Sequence, residues 1–152
     1  MYTKEQASAV RQRFWISFGK YMQPVPSASE EKVNWINYKT GIKGIFFKMD
    51  VDNDKASISI EISPKETALQ YQYFNLFQNL QKQFQDAKKN NWIFTKYFED
   101  EFGKSYSTIS LELMNVNIFR ETDWPQIISF LKLHIIALDI FWNEYKVAFE
   151  MM

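Results

Sequence analysis

The sequence predicts an α+β domain: a mostly antiparallel sheet of about five strands with three helices, in the order α-β-β-β-α-β-β-α. Three observations carry that reading. Apolar residues recur at spacings of three and four over residues 3–22, 63–88 and from Thr122 onward, the period of a helix with one buried face. Between these segments lie runs of β-branched and aromatic residues bounded by Gly, Pro, Asn and Asp. One of those runs, FKMDVDNDKASISIEIS, folds back on itself in a single sensible register.

In the first helix, Ala7, Val10, Phe14, Phe18 and Tyr21 form the apolar face, and Pro24 and Pro26 end it. Residues 33–39 and 44–51 read as strands joined by the turn TGIKG. A turn at Asn53-Asp54 then sets Val51 opposite Ala56, Met49 opposite Ile58, Phe47 opposite Ile60 and Ile45 opposite Ile62. Every apolar residue but Phe46 falls on one face, and Asp50–Ser57, Lys48–Ser59 and Phe46–Glu61 occupy the other. The helices are expected over the face that bears Phe47, Met49 and Ile60.

SPKE at residues 63–66 reads as a capping box, opening a helix to about residue 88 with Tyr73, Phe77, Leu80 and Phe84 inward and Asn90-Asn91 at its end. WIFTKYFE and SYSTISLEL read as a second hairpin turning at DEFG. Thr122 or Asp123 caps the last helix, with Pro125 in its first turn. Its broad stripe of Ile127, Ile128, Leu131, Ile135, Leu138, Phe141, Trp142, Tyr145 and Phe149 requires cover on more than one side.

At 152 residues, one domain spanning 1–152 is expected. Aromatics make up 18% of the chain, enough for a substantial core, and 4 Gly with 4 Pro leave little for linkers. The chain has no Cys, which excludes disulfides, thiolate metal sites and cysteine nucleophiles. MYTKEQASAV lacks the apolar run of a signal peptide. IISFLKLHIIALDIFW, interrupted by Lys132, His134 and Asp139, reads as too short and polar to span a bilayer. The expectation is a soluble cytoplasmic protein without a membrane partner. Net charge is zero, yet residues 1–48 hold 8 Lys or Arg against 3 Glu and the remainder 10 against 15.

Helix, three strands, helix, strand is also the core order of restriction-endonuclease-like folds, so a degenerate core of that kind is one expectation. Its metal ligands would be Asp50 and Glu61, with Ser63 where a lysine belongs. The hairpin register opposes this, because Glu61 lies four residues beyond Asp50's partner, roughly 13 Å along the strand. An ion pair between Lys48 and Glu61 on a wet face is the simpler reading. His134, the sole histidine, falls on the apolar stripe of the last helix and reads as a core residue. DVDND lacks the glycine and terminal Glu of a calcium loop and reads as a solvated turn. No phosphate-binding or nucleotide-binding glycine motif is present, and no cofactor is expected.

A nucleic-acid surface remains as a candidate. Tyr38 and Phe46 would be stacking rings, Lys39, Lys43 and Lys48 phosphate partners, and Arg11 and Arg13 further cations if the first helix packs nearby. Against it, Asp50, Glu61, Glu99 and Glu112 mix the sign of that face.

Three segments, RQRFWISFGKYMQPVPSASEEKVNWINYKTGIK, KASISIEIS and DWPQIISFLKLHIIALDIFW, resemble the domain-of-unknown-function 4268 family of prokaryotic proteins. The most distinctive elements are WINYKTG and the pattern DWP…I..FLK..I..LD.FW. The resemblance implies no activity and no site residues. Some members are fused behind a restriction-endonuclease-like domain, which implies by association a link to DNA metabolism or defence. The expected function is therefore a non-enzymatic accessory module for a macromolecular partner, protein or nucleic acid. A homo-oligomer is open to it through exposed apolar surface, and the alternative is a metal-dependent nuclease-like enzyme with a displaced site.

Overall fold

The computed structural model describes residues 2–85 and 91–152. The order is α1 (Lys4–Met22), β1 (Ile45–Val51), β2 (Lys55–Ile62), α2 (Thr67–Asn79), β3 (Ile93–Glu99), β4 (Ser105–Met114) and α3 (Trp124–Glu150). The four strands form one antiparallel sheet in the order β1-β2-β4-β3. This corrects the expected five strands: the protein is α+β with the order α-β-β-α-β-β-α. The helix–three strands–helix–strand order behind the restriction-endonuclease-like comparison is absent with the fifth strand.

The missing strand is residues 33–39. Their alternation imitates a strand, but the Asn34 side chain accepts hydrogen bonds from the Ile36 and Asn37 amides at 3.1 and 3.0 Å and closes a turn. Trp35 instead plugs the core and donates its indole N–H to the Val25 carbonyl at 3.3 Å.

The β1–β2 register is the expected one, from Ile45 opposite Ile62 to Val51 opposite Ala56. Asp52 fastens its turn, accepting from the Asp54 and Lys55 amides at 2.8 Å each. Burial alternates along β1, β2 and β4, so one sheet face carries Phe47, Ile58, Ile60, Ile109 and Leu111 into the core. The helices cover that face: α3 lies across β2, α2 against β4, and α1 packs on α3. Polar ties reinforce α2, where buried Gln70 donates to Ser107 at 3.0 Å and accepts from Ser105 at 3.1 Å.

Two helix starts and one helix end differ from expectation. In α1 a capping box between Thr3 and Gln6 is present, and Met22 rather than Tyr21 completes the buried face. Ser63 does not cap α2, because its amide donates to the Gly44 carbonyl at 2.7 Å and extends the hairpin by one pair. The helix waits until Thr67, with Glu66 as an extended N-cap, and ends at Asn79 before a 3-10 turn over Gln81–Gln83. The expected last turn through residue 88, and Asn90, lie outside the described residues. Asp123 precedes α3 but turns its carboxylate to the Asn117 amide and Arg120.

α3 is long and apolar enough, by length and composition only, to cross a bilayer, where its polar interruptions led to the opposite expectation. Ten of its residues are nevertheless buried in this fold, Asp139 among them.

Gly44 makes the close approach between β1 and the chain after β2. Its φ is +85°, and a Cβ there would stand 2.5 Å from the Pro64 Cα. Gly103 shares the positive φ, at +79°, but a Cβ would meet only the Glu99 carboxylate at 3.5 Å. Gly44→Ala should therefore lose about 2 kcal/mol or more and Gly103→Ala about 1 kcal/mol in urea denaturation. Equal losses would show that the Gly44–Pro64 contact is not what closes this end of the sheet.

Candidate functional site

Three lysines, Lys43, Lys65 and Lys104, line the region where β1 begins, β2 ends and β4 begins. Continuing the two ladders past their ends puts Lys43 opposite Pro64 and Lys104 opposite Lys65. Two adjoining depressions of about 430 and 360 Å³ share Ser63, Pro64, Lys65 and Lys104, and the larger also takes in Lys43 and Phe46. Three ammonium groups thus face one lining carboxylate, Glu66. None of the three lysines is ion-paired with a described residue. Like charges held side by side repel, and a bound anion removes that repulsion.

Beyond this groove the uncovered sheet face carries Phe46 on β1 and, on the far side of β2, Tyr106 and Phe98 on β4 and β3. Phe46 is 44% exposed with the Lys48 ammonium 5.4 Å from its centroid, and Phe98 lies 5.0 Å from Tyr106. Partial burial, then the charge of Glu61, raises the Tyr106 phenol above its usual value. The nearby Asp100 carboxylate is occupied in the β3–β4 turn by the Phe102 and Lys104 amides, each at 2.9 Å.

Of the residues singled out from sequence, the structure brings together Lys43, Phe46 and Lys48. Lys48 is paired with Glu61 at 2.7 Å, so it is a partner already spoken for. Lys39 is exposed on the loop before Thr40. Arg11 and Arg13 are elsewhere: their guanidinium groups cover Phe119 and Trp124, and Arg13 pairs with Glu121 at 2.8 Å. That segment adjoins the Asp52–Asp54 turn through the Val116 and Ile118 amides, at the opposite end of β1 and about 20 Å from the groove. Lys65 and Lys104 are the additions that sequence reading missed.

Asp50 and Glu61 stay apart, with Asp50 opposite Ser57 and Glu61 opposite Phe46. Lys55 and Glu112, at 2.5 Å, occupy the sheet beside Ser57, and Glu112 holds the Lys55 ammonium above its usual value. Among the described residues no three His, Asp or Glu side chains are grouped to hold a metal ion. His134 is buried on α3, edge-on to Trp92 at 6.1 Å and Phe130 at 5.0 Å.

Tyr38 is not a free ring. It stacks on Phe47 at 5.3 Å, and its hydroxyl donates to Asp139 at 2.6 Å. Asp139 is a buried carboxylate that also accepts from the Ser27 hydroxyl at 2.9 Å, the Ala28 amide at 2.8 Å and the Asn143 amide at 3.1 Å. The hydrogen bonds from Tyr38, Ser27 and Ala28 pin the long connection between Met22 and Ile45 to α3. So anchored, the connection and the C-terminal half of α1 frame a cleft of about 690 Å³ over Met22 and Trp35.

The family model for a domain of unknown function, DUF4268, matches residues 10–146. The chain belongs to that family. Neither the curated proteins nor the solved structures contain a match to it.

Burial, followed by the hydrogen bond to Asp139, pushes the Tyr38 phenol well above its usual range. Its contribution to stability is complete below the free value of about 10 and is lost as pH rises toward the higher folded value. Tyr38→Phe should cost about 1.5–3 kcal/mol at pH 7 and make the fall in stability above pH about 10 shallower. Urea titrations at pH 7, 9, 10 and 11 test this, and an unchanged alkaline limb would deny the phenol its place on Asp139.

Proposed function

We propose that the protein is a non-enzymatic accessory module that binds single-stranded nucleic acid along the groove of Lys43, Lys65 and Lys104. One observation carries the reading: three lysines that no described residue ion-pairs converge beside the exposed Phe46 ring, where the open sheet face begins. Lysines hold phosphates without regard to sequence, while flat rings accept any base. Phe46 on β1 and the Tyr106–Phe98 pair on β4 and β3 offer rings on the same sheet face, on which bases would stack. A link to DNA metabolism or defence is consistent with the company the family keeps.

The nuclease reading loses support from the separation of Asp50 and Glu61, since a shared ion needs both within a few ångströms.

Fluorescence anisotropy with short single-stranded DNA and RNA tests the proposal. Three neutralised phosphates predict that log K falls against log salt with a slope of about −2. Lys43→Glu with Lys104→Glu should flatten that slope and abolish most binding. Phe46→Ala should weaken binding by about 1–3 kcal/mol at an unchanged slope. No binding, or a salt-independent affinity, would overturn the proposal. Magnesium- or manganese-dependent cleavage that vanishes in Asp50→Ala would overturn its non-enzymatic half.

A further inference from the structure

The side of α3 turned away from the core carries an aliphatic row. Leu133, Ile140 and Val147 are 62%, 53% and 60% exposed, and Met151, one turn further, is 82% exposed. The first three stand seven residues apart, a spacing that keeps side chains on one line of a helix over two turns. Ile136 and Ala137, partly covered, widen the row, and Glu144 is the charge within it. Single exposed aliphatic residues are ordinary, but a continuous stripe along a helix is not.

We propose that this row is the seam of a homodimer in which α3 packs antiparallel against α3 of a second copy. The seven-residue repeat selects a helix as occupant, because it is the period at which helices interlock side chains. The row is also its own complement. A two-fold axis at Ile140 places Leu133 against Val147 of the second copy and Ile140 against its counterpart. The exposed parts of the row amount to roughly 500 Å² per copy, so pairing buries about 1,000 Å², the lower bound for a specific interface. Beside the row, a shallow depression of about 280 Å³ between Phe84 and Ile140 gives room for the second copy's side chains.

Glu144 decides the direction. Parallel helices would set it beside the Glu144 of the second copy, whereas antiparallel ones set it beside Ala137 and also oppose the two helix dipoles. The seam shares no residue with the lysine groove, so a dimer would present two grooves.

The chain has no native cysteine, so introduced thiols report without background. Under mild oxidation Ile140→Cys should yield a disulfide-linked dimer. Leu133→Cys alone should not, because its two copies lie about 21 Å apart along antiparallel helices, but combined with Val147→Cys it should. Sedimentation equilibrium should show a reversible dimer whose dissociation constant rises at least tenfold in Ile140→Glu, with circular dichroism and melting temperature retained. A wild-type monomer at every concentration, or cross-linking of Leu133→Cys alone, would overturn the proposal. So would flotation of the wild-type chain, but not Ile140→Glu, with phosphatidylcholine vesicles, which would make the row a lipid-facing surface.

Discussion

A slip of one residue between β1 and β2 would turn one strand over against the other, carrying either Ile45 and Phe47 into water with Lys48 and Asp50 brought under the helices, or Ile58, Ile60 and Ile62 out with Glu61 brought in. Burying those charges without partners costs far more than any strand pair contributes. The pairing therefore has one register, and the placement of the sheet's two faces follows from it. It gives α2 and α3 an apolar floor, sends Phe46 to the open face, and separates Asp50 from Glu61. It also sets Lys43 beside Pro64 at the sheet's end, where Lys65 and Lys104 join it.

The second constraint is Asp139. A carboxylate held out of water requires donors, and a connection of 22 residues without regular structure requires anchors. Each need meets the other. Ser27, Ala28 and Tyr38 come from the connection, and Asn143 from the next turn of α3, so that the oxygens are satisfied from both sides. Two indoles add to the hold: Trp35 donates to Val25 within the connection, and Trp142 donates from α3 to the Thr40 carbonyl at 2.8 Å. The rings of Trp35 and Tyr38 are thereby committed to packing and to these hydrogen bonds.

Legibility followed the range of the interactions. The β1–β2 register, the face covered by helices and the stripe of α3 were all readable, because each depends on side-chain period within one segment or across one short turn. The strand expected at residues 33–39 was not, since an Asx turn at Asn34 and the anchoring of Tyr38 by a residue 101 positions away override its alternation. Ser63 looked like a helix cap until its amide was claimed by Gly44. Lys43 was recognisable as a candidate cation, but Lys104 joins it only through the pairing of β2 with β4 across nearly 50 residues.

By itself the sequence determined the α+β class, the hairpin with its wet and oily faces, and the failure of Asp50 and Glu61 to meet, because local period and turn chemistry suffice for these. Only the tertiary structure decided that four strands rather than five make the sheet, that Arg11 and Arg13 sit at the far end from the lysine groove, and that Asp139 anchors the long connection. Those outcomes arise from competition among distant partners for buried hydrogen bonds and space, and no single segment contains both competitors.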